Sequence, residues 1–137
     1  MDLLSTTEEY RPDEGFVVEL RGPTDAQLFN DDETPMTITV IGADSDIAVK
    51  ARNAQQNRRL QQGVRAKLTA EGLESDAAGY LAKLTVDWNV TMGGEKPACT
   101  YEAAVKIYST PKLAFIREQV DAAIADRANF LRASPTS

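Results

Sequence analysis

Histidine is missing altogether from the 137 residues. Imidazole is the commonest general base near neutral pH and the commonest metal-ligating side chain. Its absence excludes His-dependent serine or cysteine hydrolases and His-ligated zinc sites. Cysteine occurs once, at Cys99, so no internal disulfide can form and a reducing compartment is the natural reading. Without a histidine to activate it, Cys99 is read as non-catalytic. No apolar run approaches the roughly 20 residues that a membrane-crossing helix needs. The opening "MDLLSTTEEY" has neither the basic nor the apolar region of a secretory leader, so the cytoplasm is the expected location. Phosphate loops are absent as well, because Gly93-Gly94 runs into Glu95-Lys96-Pro97 rather than into a GK[ST] helix start. With no base, nucleophile or metal constellation, no enzymatic activity, cofactor or metal is expected.

What is present describes one folded domain. Hydrophobic residues make up 42% and charged residues 26%, the composition of a packed chain rather than a disordered one. Charge is segregated. Residues 1–49 hold 12 acidic and 2 basic side chains, net −10, whereas residues 50–67 hold six basic and no acidic ones, within a total of −6. Overall acidity argues against nucleic acid as the main partner. The basic run is Lys50, Arg52, Arg58, Arg59, Arg65 and Lys67. It reads as a solvated or internally paired face. An acidic protein partner and nucleic acid are the alternatives, and the lack of any aromatic residue from 43 to 79 speaks against base stacking.

Local patterns predict an α+β chain. A small N-terminal antiparallel sheet spans about 15–42 and about four helices fill 44–132, in one domain that runs from 15 to 137 behind a flexible segment 1–14. "GFVVEL" (15–20) is a short β-branched strand. "PMTITVIG" (35–42) alternates, with Met36, Ile38 and Val40 facing one way and Thr37 and Thr39 the other. "AQLF" (26–29) is a candidate third strand. Asp44 or Ser45 caps a helix over 45–68, with Ile47, Ala51 and Ala54 on its inner face and Leu60, Val64 and Leu68 on a second stripe. Thr69 caps a helix over 70–86, and Thr100 caps a short one, "YEAAVKIY". Thr110 and Pro111 open the last helix, 111–132, with Leu113, Ile116, Val120 and Ile124 at apolar spacing and Arg127 interrupting the stripe.

The acidic clusters have plain explanations. "NDDE" (30–33) could offer oxygen ligands to a cation, but its spacing is not that of an EF-hand loop and Asn and Asp favour turns. "DSD" (44–46) supplies a helix cap with favourable charge. Trp88 reads as a core residue, with a partner contact as the alternative. Arg127 within an apolar stripe points to an interface or an ion pair.

The stretches "NDDETPMTITVIGADSD" (30–46), "NRRL" (57–60), "AKLTAEGLESDA" (66–77), Trp88 and "FIREQVDAAIADRANFL" (115–131) resemble tail assembly chaperones of long-tailed bacteriophages and prophages. Residues 89–110 depart from that pattern, as do Glu33, which sits where a turn glycine would be easier, and Gly72, which interrupts a helix. The resemblance implies a non-enzymatic protein of the bacterial host cytoplasm. Such proteins coat the tape-measure protein, keep its apolar helices soluble, help bring in tail-tube subunits and leave before the virion is finished. Such a role needs an amphipathic surface to cover partner helices, and the last helix would supply it through Leu113, Ile116, Val120 and Ile124, with Arg127, Trp88, Arg58 and Arg59 as further contact candidates; self-association into a homo-oligomer is also expected. Two other classes remain open. One is a structural subunit of the tail or head–tail junction. The other is a small inhibitor whose acidic head imitates phosphate charge.

Overall fold

The computed structural model describes residues 2–62 and 70–131. Val64, Arg65, Lys67, Leu68 and the Thr69 cap lie outside the described residues, as does the tail after Leu131. The fold is α+β. A three-stranded antiparallel sheet has the order β1 (Phe16–Glu19), β2 (Thr37–Val40), β3 (Thr85–Asn89). Among the described residues four α-helices accompany it: α1 (Asp46–Gln62), α2 (Ala70–Lys83), α3 (Tyr101–Ser109) and α4 (Ala114–Ala125). Short 3-10 turns occupy Leu3–Thr7, Pro111–Leu113 and Arg127–Phe130.

The sheet is one-sided because its strands alternate. Ile38 and Val40 of β2 are fully buried, while Thr37 and Thr39 are half-buried on the other face. Ile38 pairs with Val18 on one side and Trp88 on the other, which makes an apolar row across all three strands. Helix α4 packs on β1 and β2, α2 packs on β3, and α3 packs on α2 and α4. The core therefore lies between one face of the sheet and three helices. Tyr108 of α3 is 1% exposed, and its hydroxyl lies 2.6 Å from the Thr85 hydroxyl. Burial pushes the Tyr108 phenol up to about 12.

The third strand corrects the expected layout. It is Thr85–Asn89, which straddles the end of the expected helix 70–86 and the irregular segment after it, and not Ala26–Phe29. Residues 26–29 form a strap with single bridges only, Arg21 to Gln27 and Phe29 to Pro35. The strand was hidden because Leu81 and Leu84 keep helical spacing up to its first residue. Helix α2 stops at Lys83. The Leu84 N–H reaches back to the Tyr80 and Leu81 carbonyls, and the Thr85 hydroxyl donates to the Leu81 carbonyl.

Caps decide the helix ends. Ser45, fully buried, accepts from the Ala48 N–H at 3.2 Å and so caps α1, while Asp13 accepts from the Asp46 N–H at 2.8 Å. Thr100 caps α3 by accepting from the Ala103 N–H. Thr110 does not cap the next helix. Its hydroxyl donates to the Lys106 carbonyl and closes α3. The expected continuous helix 111–132 is three pieces, because Pro111 opens a 3-10 turn and Asp126 turns extended to cap Arg127–Phe130. On α1 the inner face is Ala48 and Ala51, and the expected Ile47 and Ala54 are exposed. Alanine allows a close approach to α2 that a larger side chain would prevent.

Residues 1–14 were expected to be flexible. Leu3 and Leu4 are 83% and 75% exposed, but the segment docks from Tyr10 onward. The Arg11 N–H donates to the Phe130 carbonyl, and the Gly42 N–H donates to the Pro12 carbonyl, both at 2.7 Å. Replacing Ile38, at the centre of the apolar row, by alanine is expected to lower stability by about 2–5 kcal/mol. The change is read as a fall in the urea midpoint with the slope unchanged.

Candidate functional site

The expected partner residues part company once the chain is folded. Ile116, Val120 and Ile124 are 6%, 0% and 2% exposed, so they are core, and Ile116 alone among them contributes to the floor of a surface cleft. Helical spacing marked the stripe correctly, but α4 spends that stripe on the sheet of its own domain. Trp88 is also core, and its indole N–H donates to the Pro97 carbonyl at 2.9 Å. Arg58 and Arg59 lie on the exposed half of α1, where Arg59 pairs with Asp76 at 2.8 Å. Leu113 alone of the apolar set stays half-buried at a surface cleft.

Arg127 makes an ion pair. Its Nε donates to Asp44 Oδ2 at 2.7 Å, and the Tyr10 hydroxyl donates to the same oxygen. This clasp joins the start of the chain, the loop between β2 and α1, and the last 3-10 turn. Asp44 thus serves as a counter-ion rather than a helix cap. Hydrogen bonds from Arg127 and then from Tyr10 pull its carboxyl down to about 2. The Tyr10 phenol is pushed up, by burial first and by Asp44 second.

The "NDDE" stretch is a tight turn. The Glu33 N–H donates to the Asn30 carbonyl at 2.9 Å, and Glu33 takes a φ of 71°, the left-handed conformation that glycine adopts more easily. Asn30 is 4% exposed and its amide donates to carbonyls of Thr34, Pro35 and Asn89. Asp32 is held by the Lys96 ammonium and the Thr34 hydroxyl and N–H, which keep its carboxyl well below the usual carboxylate range. These bonds lock the turn against the end of β3. Cys99 is half-buried, and that burial pushes its thiol up, away from the thiolate that reactivity requires.

Two clefts of different chemistry open on the surface. The first, of about 220 Å³, lies where α4 and the 3-10 turn before it meet the sheet. Buried Leu20, Ile38, Val90, Ile107 and Ile116 form its floor, and half-buried Leu28, Met36, Met92, Leu113 and Phe115 form its walls. Thr91 is the polar side chain among them, and its hydroxyl is committed to Asn30 Oδ1 at 2.7 Å. The second cleft, of about 200 Å³, lies between α1 and α2 beside the start of α3 and is lined largely by polar and charged groups.

Sequence periodicity identified Leu113 and the buried stripe around it. It missed the other walls of the apolar cleft, because Leu28, Met36, Met92 and Phe115 lie on four segments that only the fold brings together. The one local signal was a pair of methionines, Met36 and Met92, each beside a strand. No protein-family model, curated protein or solved structure matches the chain.

The clasp carries a pH dependence whose sign follows from Asp44. Its folded pKa, about 2, lies below the ordinary value of 3.8. The stability it contributes is therefore fully present above the ordinary value and is lost as pH falls through the folded one. Asp44→Asn is expected to lower the urea midpoint by a constant amount at neutral and mildly acidic pH. The difference from the parent chain should shrink as pH falls below 3.8 and vanish only below about 2, a comparison made by urea titration at a series of pH values.

Proposed function

We propose that this chain is a non-enzymatic tail assembly chaperone of a long-tailed bacteriophage. It acts in the host cytoplasm, binds apolar helices of the tape-measure protein and helps recruit tail-tube subunits. The observation that carries this reading is the open apolar cleft walled by Leu28, Met36, Met92, Leu113 and Phe115. An amphipathic helix docks by laying its apolar side chains into such a groove. Methionine suits a site that must accept varied partners, because its unbranched thioether repacks around different shapes. The resemblance of residues 30–46 and 115–131 to tail assembly chaperones supports the same reading. So does the net charge of −6, which favours solubility of a complex formed with an apolar client.

Contact thus moves from the buried face of α4 to the rim of the cleft, with Leu113 the expected residue that stays in place. Each candidate wall residue supplies apolar area without a competing polar group, so a carboxylate placed there has no partner to compensate its desolvation. Met92→Glu and Leu113→Glu are expected to weaken binding of a tape-measure fragment by about tenfold or more, equivalent to about 1.4 kcal/mol. Titration calorimetry on variants whose circular dichroism and melting match the parent would read this. Equal affinity in both variants would remove the cleft from the reading. A parent chain that leaves the co-expressed fragment insoluble would remove the chaperone function itself.

A further inference from the structure

We propose that the cleft between α1 and α2 receives carboxylate side chains from the acidic head of a second copy of this chain. This inference does not rest on the chaperone reading.

The cleft is lined by Arg58, Lys83, Gln55, Ser75, Asp76 and Tyr101, among others. Its single carboxylate, Asp76, is neutralised by Arg59 at 2.8 Å. The Arg58 guanidinium and the Lys83 ammonium have no ion pair and no hydrogen bond to any described residue. Two unpaired cations thus share one concave site with the hydroxyls of Ser75 and Tyr101. Those groups are donors suited to an oxyanion.

The head of the same chain does not fill this role. Its ion pairs run elsewhere, Asp25 to Arg21, Asp32 to Lys96 and Asp44 to Arg127. None of these pairs reaches the cleft, and Asp13, the head carboxylate that meets α1 among the described residues, accepts from the Asp46 N–H at the start of the helix. The helix itself is poorly covered. Of its 17 residues only Ala48 and Ala51 are buried, and beyond Ala51 only Gln55 is even half-buried. A helix that is polar on all sides is stable when it bridges to something else or is laced with ion pairs. Here one ion pair, Arg59 to Asp76, serves it among the described residues, beside bonds from Arg52 to the Ala43 carbonyl and the Tyr80 hydroxyl and from Gln55 to the Asp76 carbonyl.

Charge complementarity selects the occupant. Every copy brings a head with 12 acidic and 2 basic side chains to match a helix whose stretch from Lys50 to Gln62 has four basic and no acidic ones. Asp31 and Glu33 are exposed on the locked turn and carry no cationic partner among the described residues. A rigid turn presenting two free carboxylates loses little freedom on docking. Nucleic acid is disfavoured as occupant, because its phosphates would meet the same acidic head and the chain is acidic overall.

The test is sedimentation velocity on the full chain at about 50 mM and about 500 mM salt, a range over which exposed charges become screened. The parent is expected to associate at low salt and to weaken at least tenfold at high salt. Arg58→Glu with Lys83→Glu, and separately Asp31→Lys with Glu33→Lys, should each stay monomeric with melting unchanged. An equimolar mixture of the two double variants should associate again, because each head then meets a cleft of opposite sign. A parent that is monomeric at low salt overturns the proposal, whatever polyanion it binds instead. So does association that ignores salt or survives both double variants, or a mixture that stays monomeric.

Discussion

Ile38 sits between Val18 and Trp88 on the covered face of the sheet, and most of the molecule is organised around that row. The residue is completely buried and belongs to the central strand, so both neighbouring strands take their register from it. A slip of one residue would turn Thr37 and Thr39 inward and expose the apolar set. The row also gives α4 its seat: Ile116 and Val120 can be buried only because the sheet presents an apolar surface. Gln119 extends the docking with polar bonds, donating to the Arg21 carbonyl at 2.7 Å and accepting from the Arg21 N–H at 2.8 Å. Those groups lie just past the end of β1 and receive their partners from a helix side chain rather than from another strand.

With the core committed in this way, the chain ends are held by polar contacts. Asp44 gathers Tyr10 and Arg127 from opposite ends of the sequence, while Phe130 meets Phe16 edge-on with ring centres 5.9 Å apart. Such a clasp sits at the surface, where water screens charge, so it organises the termini more than it stabilises the whole.

The two clefts divide the surface by chemistry. One is walled by apolar side chains at the junction of α4, the strap 26–29 and the residues after β3; the other is polar and lies on the outlying helix α1. The basic cleft sits apart from the apolar one, on an element whose removal would leave the sheet and its three covering helices in contact with one another. A contact made there would leave the apolar cleft free.

Local chemistry determined much of this protein from its sequence. The alternation in residues 36–40, the Ser45 and Thr100 caps, the turn at Asn30 and the buried stripe of α4 all depend on neighbours within a few residues, which the sequence displays directly. The absence of histidine and the charge segregation are likewise plain from composition. Tertiary structure decided the rest. Thr85–Asn89 became a strand because β2 offered a free edge and Trp88 could join Ile38, and no local signal outweighed the helical spacing of Leu81 and Leu84 before it. Residues 26–29 stayed a strap because they meet their neighbours only at single bridges. Whether the stripe of α4 faced a partner or the core was equally undetermined, since an apolar helix face reads the same in either place. The apolar cleft and the pairing of Asp44 with Arg127 lie beyond local reading for the same physical reason: their members are far apart along the chain and only the packed sheet brings them within contact distance.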